Sequence, residues 1–217
     1  MGLGADASKP VLVFRTDLLQ ALGWFQGYSL ELGRYVPGLL APGSSFFLGR
    51  AQAEGDERYK QIIPYVVVRH EDQILSYTRG KLSREAKLVA KQSIGFGGHV
   101  EAADWTLFTE PEELVLHTAI REVREELGLA ADAGQFSLVG LLNDDSDAVG
   151  RVHFGFIYTL WPESPTIART ERQIAQVKFV PLVKAKTWSE LEGWSRIVVD
   201  MLLDPRVASG RGGLPRR

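Results

Sequence analysis

Three glutamates share one stripe of a helical pattern near the middle of the chain. In Arg121-Glu122-Val123-Arg124-Glu125-Glu126-Leu127-Gly128-Leu129, a period of 3.6 residues per turn puts Glu122, Glu125 and Glu126 within roughly 100° of one another. Leu116, Ala119, Ile120, Val123 and Leu127 form a neighbouring apolar stripe, so the helix can bury one flank and present its acids along the other. Carboxylates grouped this way are hard oxygen donors suited to Mg²⁺, a cation that keeps several waters and needs few protein ligands. The same grouping on a solvated helix costs only roughly 0.2–0.5 kcal/mol per like-charge pair. Charge clustering alone therefore leaves a plain surface face as the alternative reading.

The ordered context narrows that choice. Gly97-Gly98-His99-Val100-Glu101 comes first, then Glu113, then seven residues, then Arg-Glu-Val-Arg-Glu-Glu-Leu-Gly-Leu. This series resembles the signature of the Nudix hydrolases, in which a glycine, a first glutamate, an Arg-Glu pair, an apolar residue, a Glu-Glu pair and a Gly-apolar ending follow at set spacings. From Glu113 to Leu129 every defined position matches. The first half departs from the pattern. The family usually has five residues between the glycine and the first glutamate, whereas fourteen separate Gly98 from Glu113, an excess of nine. Residues 102–112, with Asp104, Trp105 and Phe108, are read as the extra loop, placed at the rim of the site because both its ends join site elements. Lengthening a surface loop costs only about 0.6 kcal/mol per doubling.

The resemblance implies an αβα sandwich with a mixed central sheet and hydrolysis of a phosphoanhydride in a small-molecule substrate, with Mg²⁺ or Mn²⁺ as cofactor. It implies that Glu125 and Glu126 bind the metal, that Glu122 binds metal or helps activate water, and that a backbone carbonyl at Gly98, or else Gly97, completes the set. Arg121 lies one turn before Glu125, where an ion pair within the helix would let it orient the acids. Glu113 is half a turn round from Glu122 and either assists through water or caps the first turn. A further acid in the family precedes a late strand; Glu171 is the match, with Glu163 and the Asp144-Asp145 turn as competitors. A ligand-sensing module without turnover is the alternative, and the intact carboxylates argue against it. An isomerase of isopentenyl diphosphate shares the fold but uses an active-site cysteine, and the chain has none.

His99 reads as a structural hydrogen-bonder in the turn, His153 and Arg151 as exposed strand residues, and Asp144, Asp145 and Asp147 as turn formers. Arg79, Lys81, Arg84 and Lys91 could meet phosphate but are read as solvated. Trp24, Phe25, Tyr28, Tyr65 and Tyr77 are read mostly as core.

The elements that must hold these groups follow an α+β pattern. A length of 217 residues with 45% hydrophobic content supports one sizeable core. We read residues 1–60 as an N-terminal extension or subdomain, 61–204 as the Nudix domain and 205–217 as a tail. The first sixty residues, together with the long Gly-Gly-His insertion, resemble a bacterial branch labelled predicted phosphoesterases. Residues 11–14 read as a strand, 16–22 as a helix capped at its start, and 24–56 as an irregular wrap rich in Gly, Pro and aromatics. Residues 62–68 and 73–78 form a hairpin about His70-Glu71-Asp72. Residues 136–142 and 152–160 form a second pair, and a late strand lies near Lys178. Thr109-Glu110-Pro111-Glu112 supplies a capping-box spacing for the acidic helix, and 188–203 closes the domain as an amphipathic helix.

A formal charge of −2 with interspersed signs argues against nucleic acid and anionic membrane as partners. With no cysteine, no signal-like N-terminus and no membrane-spanning run, the expectation is a cytoplasmic protein. A homodimer is the expected assembly where selectivity draws on a second copy.

Overall fold

The computed structural model describes residues 9–80, 91–105, 110–164, 166–167 and 174–208. Its organising element is β4 (Tyr59–His70). The run from Ile62 to Val68 is apolar at nearly every position because both faces of this strand are covered. Ile62, Val66 and Val68 enter one core and Tyr65 and Val67 the other, as alternation along a strand requires.

Along one edge β4 pairs in parallel with β8 (His153–Leu160), from Gln61 opposite His153 to Val68 opposite Leu160. Beyond β8 lie β7 (Phe136–Asn143) and then β2 (Gly27–Ser29), both antiparallel. The other edge of β4 is divided among several partners. Its start meets β1 (Pro10–Arg15), which carries β3 (Ser45–Gly49) outside it. Its end turns at Glu71, φ 54°, into β5 (Gln73–Arg79), which pairs with β6 (Gln92–Ser93) and β9 (Ile174–Pro181).

Between those two partners runs the segment that carries the glycines. Val66 and Phe96 exchange backbone hydrogen bonds of 2.8 and 3.0 Å, and the Leu12 N–H donates to the Val100 carbonyl at 2.9 Å. The glycine turn is thus strung between β4 and the first strand of the chain.

Helices cover both faces, giving the αβα sandwich. On the first face, α1 (Thr16–Gly23), α2 (Leu32–Leu39) and α4 (Pro111–Leu127) pack on Leu12, Phe14, Ile62, Phe154 and Phe156. On the other, α3 (Arg50–Glu54) lies over Val11 and Val13. Beside it, α6 (Leu182–Ala185) and α7 (Gly193–Leu202) lie over Val67 and Ile157. The short α5 (Ala148–Arg151) links β7 to β8, and α8 (Pro205–Ala208) follows α7. No helix among the described residues is long and apolar enough to cross a membrane.

Several local expectations change. Residues 24–56 are not an irregular wrap: they form β2, α2, β3 and α3, and Leu32, Tyr35, Val36 and Leu39 join the main core. Thr16 does not cap α1, since Arg15 holds the N-cap position and the Thr16 hydroxyl donates to the Glu57 carbonyl at 2.8 Å. The closing helix starts at Gly193 rather than 188, because the Arg196 guanidinium gathers the carbonyls of Trp188, Ser189 and Leu191 into a loop.

Candidate active site

Helix α4 begins with Pro111 at its first turn, where a missing N–H costs nothing, and ends at Gly128 in the left-handed region, φ 62°. Glu110 is the N-cap and makes no side-chain capping bond; Thr109, the other half of the expected capping box, lies outside the described residues. The buried face is wider than the expected stripe. Leu114, Val115 and Thr118 join Ala119, Val123 and Leu127, while Leu116 and Ile120 are only partly buried. Projected at 3.6 residues per turn, Glu122 and Glu126 fall between Thr118 and Ala119, so two of the three acids point inward, one turn apart.

The glycine turn meets them there. A Cβ on Gly97 would collide with the Pro64 carbonyl of β4, and one on Gly98 would lie 2.5 Å from Glu122 Oε1 and 2.7 Å from its carboxyl carbon. The two glycines therefore let the backbone pass between the sheet and the Glu122 carboxylate, which is only 14% exposed. Tyr77 holds the approach to this turn: its hydroxyl donates to the Gly95 carbonyl at 3.1 Å, and its ring lies 4.9 Å from that of Phe96.

Arg121 sits among the acids. Its Nη1 donates to Glu122 Oε1 at 2.8 Å and to Glu125 Oε2 at 3.1 Å. Nε and Nη2 meet the two Asp104 oxygens at 2.9 and 3.1 Å, and Nη2 also reaches the His99 carbonyl at 3.3 Å. The expected pair with Glu125 is present, as one contact of a larger set. Burial alone would lower the Arg121 pKa, but the Asp104 hydrogen bond and the charges of Glu122, Asp104 and Glu125 raise it above its ordinary value. The Glu122 carboxyl is raised too, chiefly by burial, with the charges of Glu125 and Asp104 adding to it against the pull of Arg121. Three carboxylates share one guanidinium, which leaves a net charge of −2 in a partly dry place.

That surplus suits a divalent cation, and the donors are carboxylate oxygens, the chemistry Mg²⁺ and Mn²⁺ take. The donors are not already gathered round one point: among the described residues no three acidic or histidine side chains form a ready metal cage.

The remaining candidates divide. Glu113 is exposed in the first turn of α4, about 13 Å along the axis from Glu122 and on the opposite side, so the structure does not bring it to the other acids. Glu171 lies outside the described residues, as do Lys81, Arg84 and Phe108. Glu163 is exposed. Arg79 binds Glu192 at 2.6 Å and Lys91 binds Glu190 at 2.7 Å. Tyr65 and Tyr77 are buried, Phe25 packs edge-on against Tyr35 and Phe154, and Trp24 is exposed.

The Asp cluster has turn and cap roles. Asp147 caps α5 through the Gly150 N–H at 2.7 Å. Asp144 accepts from Gln26 Nε2 at 2.7 Å and from the Ser146 N–H at 3.2 Å. Asp145 takes Lys60 Nζ at 2.7 Å and Trp24 Nε1 at 3.1 Å. Lys60 is almost wholly buried and also donates to the carbonyls of Gly150, Arg151 and His153 at 3.2, 3.0 and 3.4 Å.

Arg151 is not on the strand but ends α5, where it pairs with Glu57 at 2.7 Å. His153 opens β8 as expected but is half-buried, and its Nε2 lies 3.2 Å from His99 Nε2. Its Nδ1 lies 2.7 Å from the Val149 carbonyl, which can only accept, so Nδ1 carries the proton and Nε2 of the neutral ring accepts from His99.

Two residues whose contacts hold these regions together carry no site role in the sequence reading: Asp104, which figures there only as part of the extra loop, and Lys60. Asp104 could have been found by counting from the other end of the motif, since five residues separate it from Gly98. Nothing local marks Lys60, whose partners lie about ninety residues away.

The chain matches the family model for the NUDIX domain over residues 64–198. It is 39% identical over 158 residues to Protein YmaB of Bacillus subtilis (strain 168), covering 70% of this chain and 76% of that one. Its structure is similar to the crystal structure of Tm1382, a proposed Nudix hydrolase, with a TM-score of 0.72 and 29% identity over 90% of this chain and 99% of the other. That share reaches well beyond residues 64–198. The MutT NUDIX hydrolase of Burkholderia pseudomallei has a similar fold, with a TM-score of 0.50 and 20% identity over 66% of this chain and 98% of that one.

Proposed function

Because this chain belongs to the Nudix family, hydrolases that act on pyrophosphate bonds, we propose that its substrate is a nucleoside diphosphate derivative or a related organic pyrophosphate. The cofactor is Mg²⁺ or Mn²⁺, held by Glu122, Glu125 and Glu126 with the Gly98 carbonyl. One observation carries the metal assignment: the net charge of −2 left around Arg121, beside a Glu122 carboxylate pressed against the glycine turn. A neutral or basic ligand set would not call for a divalent cation there.

A cation bound at these carboxylates supplies charge neutralisation to the phosphate oxygens of the scissile anhydride. The chain's own residues do the rest. Glu125 is half exposed, and Glu126 lies one turn beyond Glu122 on the inward side of the helix. Glu122, fixed between Gly98 and Arg121, either takes a place in the cation's shell or holds the attacking water. Arg121 is an orienting group whose guanidinium sets the direction of two of the three glutamates.

The decisive experiment incubates the purified protein and Mg²⁺ or Mn²⁺ with dinucleotides, nucleotide sugars, nucleoside triphosphates and coenzyme A, and identifies the products. Cleavage between two phosphorus atoms that stops on chelation is the expected result. Failure to cleave any of them with either ion would point to the ligand-sensing alternative.

A further inference from the structure

We propose that Asp104, supplied by the insertion after the glycine turn, is a positioning residue for the acidic site. It acts on Glu122, Glu125 and the turn only through Arg121. The proposal rests on the metal-site reading above and extends it to a residue outside the helix.

Asp104 is the last residue of a 3₁₀ turn (Ala102–Asp104) that follows directly from the glycine segment. Its Oδ2 accepts from the Glu101 N–H at 3.0 Å, which ties the carboxylate to its own turn. The Thr118 hydroxyl, 3.2 Å from the same oxygen, ties it to α4. Against these fixed points the carboxylate engages the Nε and Nη2 edge of Arg121 in the two-pronged geometry that sets both distance and plane. At 13% and 23% exposure the pair is largely shielded from water, where a charge-assisted pair is stronger and a missing partner more costly than at the surface.

The consequence lies at the other end of the guanidinium. With two of its nitrogens engaged by Asp104, only Nη1 is left for the glutamates, and it takes one oxygen from each, Oε1 of Glu122 and Oε2 of Glu125. The second oxygen of each lies outside that bond. Without Asp104 the whole fork of Arg121 could swing onto Glu122 and Glu125 and compete with a cation for them. Asp104 thus holds the arginine back as well as in place. The spacing explains how this acid came to serve: Asp104 stands at the usual distance from the glycine, and the excess residues separate it from Glu113, which has gone to the far side of α4.

The test uses the full chain and three variants, Asp104→Asn, Asp104→Glu and Glu112→Gln, with calorimetric Mn²⁺ binding, thermal midpoint and steady-state kinetics as readouts. Asp104→Asn should weaken Mn²⁺ binding about tenfold, as loss of a group that orients metal ligands does. Asp104→Glu should recover part of that loss, and Glu112→Gln, which removes an exposed charge from the first turn of α4, should not weaken binding. In an Arg121→Lys background, where the fork is gone, Asp104→Asn should have little further effect. A lower thermal midpoint with unchanged Mn²⁺ affinity in Asp104→Asn would reduce Asp104 to a structural brace and overturn the proposal alone. No Mn²⁺ binding by the parent protein would overturn the metal-site reading, and the proposal with it.

Discussion

Two acid-rich regions of this molecule, the α4 site and the turn at residues 143–147, contain similar groups and arrange them to opposite ends. Each has a shielded cation at its centre. Lys60 meets one carboxylate, Asp145, and three backbone carbonyls, and the neighbouring Asp144 and Asp147 are taken up by uncharged donors, the Gln26 amide and the Ser146 and Gly150 N–H groups. Arg121 instead meets three carboxylates and one carbonyl. The titration directions agree. Burial would raise the Asp145 carboxyl, but Lys60, Trp24 and Asn143 bring it below its ordinary value, whereas Glu122 stays above its own. A count of acids does not separate the two regions; how many carboxylates converge on one cation does. On the proposed metal reading the first region takes in a cation, whereas the second already contains Lys60.

The strongest challenge to this contrast is a pair of substitutions read in parallel. Glu122→Gln should reduce kcat by about 10²-fold or more, with a smaller change in KM and little change in thermal midpoint. Equal loss in kcat and substrate affinity would instead mark Glu122 as structural. Asp145→Asn should do the reverse, leaving kcat within a few-fold and costing about 1–3 kcal/mol of stability, because Lys60 would remain buried with carbonyls alone. Chemical denaturation of the two variants beside initial rates decides the matter, and a catalytic loss in Asp145→Asn would show that the second region is part of the site.

A smaller effect comes from the histidine next to Lys60. Burial pushes the His153 pKa below its ordinary 6.5, only partly countered by the Val149 carbonyl. His99 of the glycine segment, Arg50 and Glu54 of α3, and Lys60 are the charged or titratable groups around it. The folded state keeps this ring neutral while the unfolded chain takes up a proton below about pH 6.5. The stability it contributes is therefore present above that pH and falls as the pH drops through it. The thermal midpoint should drop more between pH 7.5 and 5.5 in the parent than in His153→Gln. Parallel curves would mean that the ring is no more shielded than in the unfolded chain.

The smallest expected change is at Glu113. With its carboxylate exposed on the far side of α4, Glu113→Gln should shift kcat/KM by no more than a few-fold, well below the effect of Asp104→Asn. A larger loss would return Glu113 to the site and reopen the assignment of the motif's first acid.

What could be read from the chain beforehand was what neighbours in sequence decide. The acids of α4, its end at Gly128, the β4–β5 hairpin and the strand pair about the Asp turn all follow from local periodicity and turn chemistry. Residues 24–56 were misread because strands as short as β2 and β3 owe their existence to their partners, β7 and β1, rather than to their own composition. Asp104 was passed over because its partner Arg121 is on another element, seventeen positions on. The start of α7 was misplaced for a similar reason: Glu192, at its N-cap, is held by Arg79 from β5, which no helical pattern contains.

The pairing of the first strand with the glycine segment also sets an order of events in folding. Helix α4 is closed by neighbours in sequence and can form early, but the turn opposite it is held along its outer side by Leu12, and Lys9 reaches Glu101 at 3.0 Å across 92 positions. Closing a loop of that length costs about 4 kcal/mol in chain entropy before any contact repays it, and contacts so distant form slowly. The acids should therefore be in place on the helix before the wall that faces them is. Synthesis from the N-terminus helps, since β1 is available long before residue 101 emerges. A fragment cut to residues 64–198 would keep that wall but lose the strand that holds it, leave one edge of the glycine segment unpaired, and be prone to pairing there with another chain.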